Sequence, residues 1–229
     1  MTRSVRARPS EAFGSALRQH SDAHWLVHDD NGSRRRLPVR RWHGPAEPTM
    51  DDVLGRCVGP TLDLGCGPGR LTSALSRAGV TAVGVDISAQ AVRLTRARGA
   101  VALRADLFAP LPAEGRWAHV LLIDGNIGIG GDPRVLLARC RDLLRPGGTV
   151  LVELEPPGPG LWMGRARLAV EGAEGGWHVG PPFRWARLDT VAVTGAASAA
   201  GLVVRDLFRR DRRWFAELTA TAPTHGYRI

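Results

Sequence analysis

The chain has no lysine: every one of its 31 basic residues is arginine, set against 22 acidic ones, for a formal charge of +9 over 229 residues. A positive balance of that size points toward nucleic acid when the charge is concentrated. Here the arginines run along the whole chain, and an all-arginine complement reads as base-composition bias. The cluster of Arg34, Arg35, Arg36, Arg40 and Arg41 is therefore read as a solvated basic face, with a nucleic-acid partner disfavoured. Cysteine is scarce too. Cys57, Cys66 and Cys140 are odd in number and lack C-x-x-C spacing, which argues against a disulfide framework and a zinc ribbon. No apolar run approaches the roughly 18 to 20 residues of a membrane-spanning helix, and the charged start MTRSVRARPSEAFG has no apolar stretch behind it. The expectation is a cytoplasmic protein with no membrane partner.

What is present is 44% hydrophobic residues, enough for one sizeable core. From Thr61 onward apolar and amphipathic runs alternate, the pattern of strand–helix units in a parallel sheet covered on both faces. Strands are expected at 60–65, 81–86, 101–106, 117–124 and 149–155. Helices are expected at 70–78, 89–98 and 135–144, with Gly79, Gly99 and Pro146 as stops. A small-residue helix behind Asp189 and two antiparallel strands around Asp211 close the pattern. The fold class is α/β, a doubly wound, mostly parallel seven-stranded sheet. Residues 1–50 form an N-terminal cap region, with a helix through SEAFGSALRQH and a hairpin at Asp30-Asn31-Gly32. Residues 51–229 form the α/β domain. Within it, residues 156–187 are rich in Gly, Pro and Trp and read as an irregular insertion over the sheet's edge.

Leu62-Asp63-Leu64-Gly65-Cys66-Gly67-Pro68-Gly69-Arg70 stands where the first strand meets its helix, a place where glycines let a ligand approach the backbone. The spacing is G-x-G-x-G, not the dinucleotide G-x-G-x-x-G. Asp63 precedes the first glycine by two, Asp86 ends the second strand, and Asp106 ends the third. An acid at the end of a second strand can accept hydrogen bonds from both hydroxyls of an adenosine ribose.

LDLGCGPGRL, VGVD, RADLF and LLRPGGTVLVEL together resemble the class I S-adenosylmethionine-dependent methyltransferase family, strongly over residues 50–155. The resemblance implies a Rossmann-like fold, S-adenosylmethionine as cofactor and S-adenosylhomocysteine as product. Carried onto this sequence, it implies that Gly65 and Gly67 make room for the methionine moiety and ribose, with Cys66 and Arg70 in the same contact set. Asp63 supports the loop and the cofactor's amino group, and Asp86 holds the ribose hydroxyls with Ile87 on the adenine face. Asp106 and Leu107 meet the adenine edge, and Asp124 faces the methionine end.

Transfer of a methyl group needs an in-line nucleophile in a dry, oriented site, and a base only where the acceptor carries a proton. Candidate catalytic residues are Asp124 and Asn126, followed by Glu153 and Glu155, which share one face of the fifth strand. His20, His24 and His28 are spaced by four, yet the turn signal after them argues for strand, and no metal is expected. Trp25, Trp42, Trp162, Trp177, Phe183 and Trp185 could wall an apolar substrate pocket or simply pack the insertion.

One stretch remains: Ile123-Asp124-Gly125-Asn126-Ile127-Gly128-Ile129-Gly130-Gly131-Asp132-Pro133. It has a phosphate loop's glycine spacing, but Gly131 stands where lysine is required. Strands one and four neighbour each other at the topological switch point of such a sheet. The loop is therefore expected opposite the first glycine motif, its glycines admitting cofactor and substrate, with a flexible turn as the plainer reading. The leading function is methyl transfer to a small molecule. Rivals are a nucleic-acid methyltransferase, other S-adenosylmethionine chemistry, and a non-catalytic nucleotide-binding module; an NAD-linked oxidoreductase fits the glycine spacing poorly.

Overall fold

The computed structural model describes residues 13–18, 21–172 and 176–220. In chain order the elements are α1 (Gly14–Arg18), β1 (His24–His28), β2 (Arg34–Arg36), α2 (Val39–His43), a 3₁₀ turn (Pro48–Met50) and α3 (Asp51–Gly55). They continue with β3 (Thr61–Leu64), α4 (Arg70–Arg77), β4 (Ala82–Asp86), α5 (Ala89–Ala97), β5 (Val101–Arg104), β6 (Trp117–Leu122) and α6 (Pro133–Leu143). The last are β7 (Leu144–Leu154), β8 (Leu161–Glu171), β9 (Trp177–Val179), β10 (Phe183–Leu188), α7 (Val193–Ala199), β11 (Leu202–Arg210) and β12 (Arg213–Ala220).

Seven strands form one sheet in the order β11-β12-β7-β6-β3-β4-β5. β3 runs parallel to both β4 and β6, β6 parallel to β7, and β4 parallel to β5, while β12 runs antiparallel between β7 and β11. Every residue of β3 and β6 is buried, as strands covered on both faces must be. Alternate residues feed opposite layers. Val120, Leu122, Val150 and Val152 pack with Leu136, Leu137 and Leu143 of α6 and Ala196 and Ala197 of α7. Leu121, Leu151 and Phe215 pack with Val53 of α3 and Leu71 and Leu75 of α4. Asp132 caps α6 by accepting from the Arg134 N–H, with Pro133 in the first turn, where its missing N–H costs nothing. Of the helix expected through SEAFGSALRQH, residues 10–12, 19 and 20 lie outside the described residues.

The insertion is regular, contrary to the expectation from its composition. β8, β9 and β10 build a second, antiparallel sheet, and β1 and β2 complete it in the order β10-β8-β1-β2 with β9 on β8. The Asp30–Gly32 turn joins β1 to β2 as expected, with Gly32 at φ +65. β1 pairs with β8 so that Leu26 stands opposite Leu168, and both join Ala16, Leu37, Val39, Phe183 and Trp185 in a separate core. The N-terminal cap and the insertion are thus one layer. It lies over the loop that follows β6, not over the sheet's edge: a Cβ on Gly128 would stand 2.4 Å from the Ala186 carbonyl oxygen of β10. Composition hid this because β8 is held by pairing on both edges, with β10 and β9 inside the insertion and with β1 about 140 residues earlier, and such pairing leaves no local pattern.

Candidate active site

A cavity of about 330 Å³ lies between the strand ends of the large sheet and the cap. Its floor begins where β3 stops. Gly65 turns at φ +72, and a side chain there would press within 2.8 Å of the Asn126 amide nitrogen. Gly67 donates its N–H to Asp86 Oδ2 at 3.0 Å, and Asp86 Oδ1 accepts from the Ser88 N–H at 2.8 Å. Ser88 in turn caps α5. Burial pushes the Asp86 carboxyl upward in pKa, opposed by these two N–H donors. The Cβ position of Gly67 meets nothing within 4 Å. The resulting cradle, an open glycine beside a carboxylate with lone pairs to spare, fits a hydroxyl-bearing ribose.

Asp63 is buried beneath this loop and accepts from the Thr72 hydroxyl at 2.6 Å. Burial pushes it up to about 6, against the pull of Thr72 and Arg70. Cys66 is buried beside Thr95, its thiol raised by desolvation, so it is inert as a nucleophile. Farther along the strand ends, Asp106 accepts from the Phe108 N–H at 3.0 Å, and Ile87 and Leu107 line the cavity.

Asp124 is held in a left-handed conformation, φ +59, at the centre of an ion cluster. It accepts from Arg41 at 3.0 Å, Arg70 at 2.8 Å and Arg213 at 3.1 Å, while its own N–H donates to Glu153 at 2.6 Å. Arg70 also pairs with Glu47 at 2.6 Å and Arg213 with Glu153 at 2.8 Å. Burial works to raise the Asp124 carboxyl, but Arg70, Arg41 and Arg213 together hold it below the usual carboxylate range. A carboxylate saturated by three guanidiniums is a poor proton acceptor. Its geometry suits an anchor that ties α4, the cap and β12 together. Asn126 likewise uses its amide nitrogen to clamp the backbone, donating to the carbonyls of Leu64 and Gly65 at 2.9 Å each.

The expected juxtaposition of the two glycine loops holds, since β3 and β6 are neighbours. Gly65, Gly67 and Gly130 line the cavity, whereas Gly128 and Gly131 have a different use from the one expected. Asn126–Gly131 forms a 3₁₀ turn, and Gly128 faces β10 so closely that Trp185 ring atoms lie 2.5 Å from its Cβ position. Gly131 meets Arg184 at 2.7 Å in the same way. These positions are bare to seat the cap, not to admit ligand, and the turn is packed rather than loose.

Of the aromatic candidates, Trp42 and Trp185 reach the cavity. Trp25 packs edge-on against Trp177, Trp162 stacks on His28 at 4.1 Å, and Phe183 packs behind Trp185. Phe13, Leu17, Leu26, Leu37, Phe108 and Ile129 complete the apolar wall. No local motif announced them, because it is the cap's pairing that brings them here. Glu153 and Glu155 serve ion pairs outside the cavity lining, Glu155 with Arg35 and Arg187. The arginine cluster is divided rather than uniformly solvated. Arg34 lies over Trp177, Arg36 over Trp25, and Arg41 turns inward to Asp124. His24 and His28 sit on β1, His20 lies outside the described residues, and no group of potential metal ligands occurs among those described.

Residues 61–148 match the family model described as a methyltransferase domain. The ubiquinone biosynthesis O-methyltransferase of Xanthomonas campestris pv. campestris is 29% identical over 156 residues, 59% of this chain and 63% of that one. The chain thus spans less than two thirds of the length of that relative. An S-adenosylmethionine-dependent methyltransferase from Bacteroides fragilis, solved with S-adenosylhomocysteine, has a TM-score of 0.71 at 19% identity, covering 93% of this chain and 94% of its own. The CcbJ methyltransferase of Streptomyces caelestis has a TM-score of 0.62 at 20% identity, covering 79% and 92%. Residues 61–148 are thus similar to a methyltransferase domain, and the chain shares the fold of these solved methyltransferases.

Proposed function

We propose that the protein transfers a methyl group from S-adenosylmethionine to a small molecule held beneath the cap. The observation that carries this reading is Asp86, a carboxylate at the cavity braced by the Gly67 and Ser88 N–H groups, where a ribose diol would find two acceptors. Ile87, Asp106 and Leu107 then receive the adenine, and Gly65, Cys66, Gly67, Asp63 and Arg70 surround the methionine portion, with Asp124 fixing the floor.

Bound in this way, S-adenosylmethionine supplies a methyl group activated by its sulfonium. The chain's part is to orient and to dry the site. Phe13, Leu26, Leu37, Trp42 and Trp185 exclude water above the floor, and alignment alone is worth up to roughly 7 to 11 kcal/mol in favourable cases. With Asp124 neutralised by arginine, proton abstraction by that residue is no part of the scheme. Names of relatives support a small-molecule acceptor, including an O-methyltransferase. No helix among the described residues is long and apolar enough to cross a membrane, and action in the cytoplasm is part of the proposal.

Isothermal titration with S-adenosylhomocysteine tests the reading. Binding that the Asp86→Ala variant weakens about tenfold to a hundredfold supports it, and binding of NADH in preference to S-adenosylhomocysteine overturns it.

A further inference from the structure

The exposure of the residues around the cavity locates its mouth. Among the described lining residues only Asp106, Phe108, Gly130 and Arg184 are exposed, and all the others are buried or half-buried. These four are neighbours in space. Asp106 and Phe108 belong to the loop after β5, the Phe108 ring lies against Gly130 of the 3₁₀ turn, and the Cβ of Arg184 on β10 stands beside Gly131. The opening therefore lies between that loop, the turn and the start of β10. Phe108 reaches across it. A Cβ on Gly130 would stand 2.7 Å from Cζ and 2.8 Å from Cε2 of the ring, so the bare glycine, at φ +81, is the seat on which the ring rests.

We infer that Phe108 is the gate of the cavity, its ring turning off Gly130 to let ligand pass and returning to exclude water. The movement belongs to the side chain, because the backbone on either side is pinned. The Phe108 N–H donates to Asp106 Oδ1 and the Ala109 N–H to the Asp106 carbonyl, each at 3.0 Å. Arg139 of α6 grips the same loop, donating to the carbonyls of Leu107 at 2.9 Å and Ala109 at 2.6 Å and to Glu114 at 2.6 Å. The ring itself is held by packing alone and is 40% exposed, and exposed side chains change rotamer quickly. Opening thus gives up only the partly covered face of one aromatic ring. Closure keeps the space behind it dry, which group transfer between bound molecules requires. For the identity of the passing ligand, S-adenosylmethionine and its product, the inference rests on the methyltransferase reading of the cavity.

Stopped-flow binding of S-adenosylhomocysteine to the whole chain, followed by tryptophan fluorescence, tests the gate, since Trp42 and Trp185 line the cavity. A residue that merely touches ligand alters dissociation; a gate slows passage both ways. Phe108→Ala is expected to raise the association and dissociation rates together by about tenfold, the factor by which burial of part of an aromatic ring lowers the open fraction. Phe108→Tyr, which keeps the ring, returns both rates toward the parent. Acrylamide quenching of the unliganded protein gives a second readout that needs no cofactor. Loss of the ring should open Trp42 and Trp185 to this neutral quencher at an unchanged melting temperature, and a lowered one moves both comparisons to Phe108→Leu. Absence of S-adenosylhomocysteine binding to the parent counts against the methyltransferase reading, and the quenching comparison then decides the gate by itself. An association rate that is unchanged or lowered in the variant, or quenching equal to the parent's, overturns the inference.

Discussion

Asp86 and Asp63 show how two carboxylates of one loop come to differ. Asp86 keeps acceptor capacity facing the cavity, so its charge-assisted bonds to ligand hydroxyls are worth roughly 1.5 to 3 kcal/mol. Asp86→Ala is expected to weaken S-adenosylhomocysteine binding about tenfold to a hundredfold by calorimetry. Asp63 has its burial raise it from 3.8 to about 6. Because the folded pKa lies above the unfolded one, its contribution to stability is fully present below about pH 4 and is lost as pH rises through about 6. At neutral pH the ionised group therefore costs up to about 3 kcal/mol. Asp63→Asn should flatten the dependence of urea stability on pH between about 4 and 6, and an unchanged profile would show that Asp63 is not the titrating group. The glycine spacing and the order of the acids made both residues legible from the sequence. The three arginines that neutralise Asp124 were not, because they come from residues 41, 70 and 213 and only the closed fold brings them together.

At the scale of elements, the loop after β6 and strand β10 determine each other. A methyl group on Gly128 would meet both the Ala186 carbonyl and the Trp185 ring, so Gly128→Ala must push the strand away or distort the turn. Overpacking of this kind costs about 1 to 3 kcal/mol. The expected outcome is that loss in denaturant melts, together with weaker acceptor binding and near-parental S-adenosylhomocysteine binding, because Trp185 belongs to the cap's wall and Asp86 does not. Position alone put this loop opposite the first glycine motif, and that much of the sequence reading holds. The identity of what lies against the glycines depended on β10, a strand whose own residues, FRWARL behind two prolines, read as irregular until paired with β8. The ion cluster is an element-scale device as well. Arg213→Met leaves Glu153 and Asp124 short of a partner at 14% side-chain exposure each, and removal of one member of such a buried set costs about 3 to 5 kcal/mol. A global unfolding titration would show it.

For the whole molecule, the architecture is a sheet whose strand ends border a cavity and a second sheet that roofs it. Arg41 is one of several ties between the two, alongside the packing of Gly128 on β10 and the Arg35–Glu155 pair: it leaves the cap to reach Asp124 at 3.0 Å. Its side chain is 32% exposed, so the pair contributes about 1 kcal/mol or less to global stability. Arg41→Met is therefore expected to leave the denaturant midpoint nearly unchanged while increasing hydrogen exchange in residues 24–28 and 161–188. Uniform exchange across both sheets would show that the link takes no part in holding the roof.

The sequence by itself determined the large sheet, because its strands and helices carry local signals: mostly apolar central strands, glycine stops, a proline in the first turn of α6, and acids at strand ends. It also determined the glycine-loop side of the cavity, since Asp63, Gly65, Gly67 and Asp86 lie within 24 residues of one another. The tertiary structure decided the side of the cavity that the cap walls. Leu26 from β1 and Arg184 and Trp185 from β10 are separated by about 160 residues and become neighbours only through β8. Pairing of that range depends on which strand edges remain free once the core has formed, and no local pattern of residues records it.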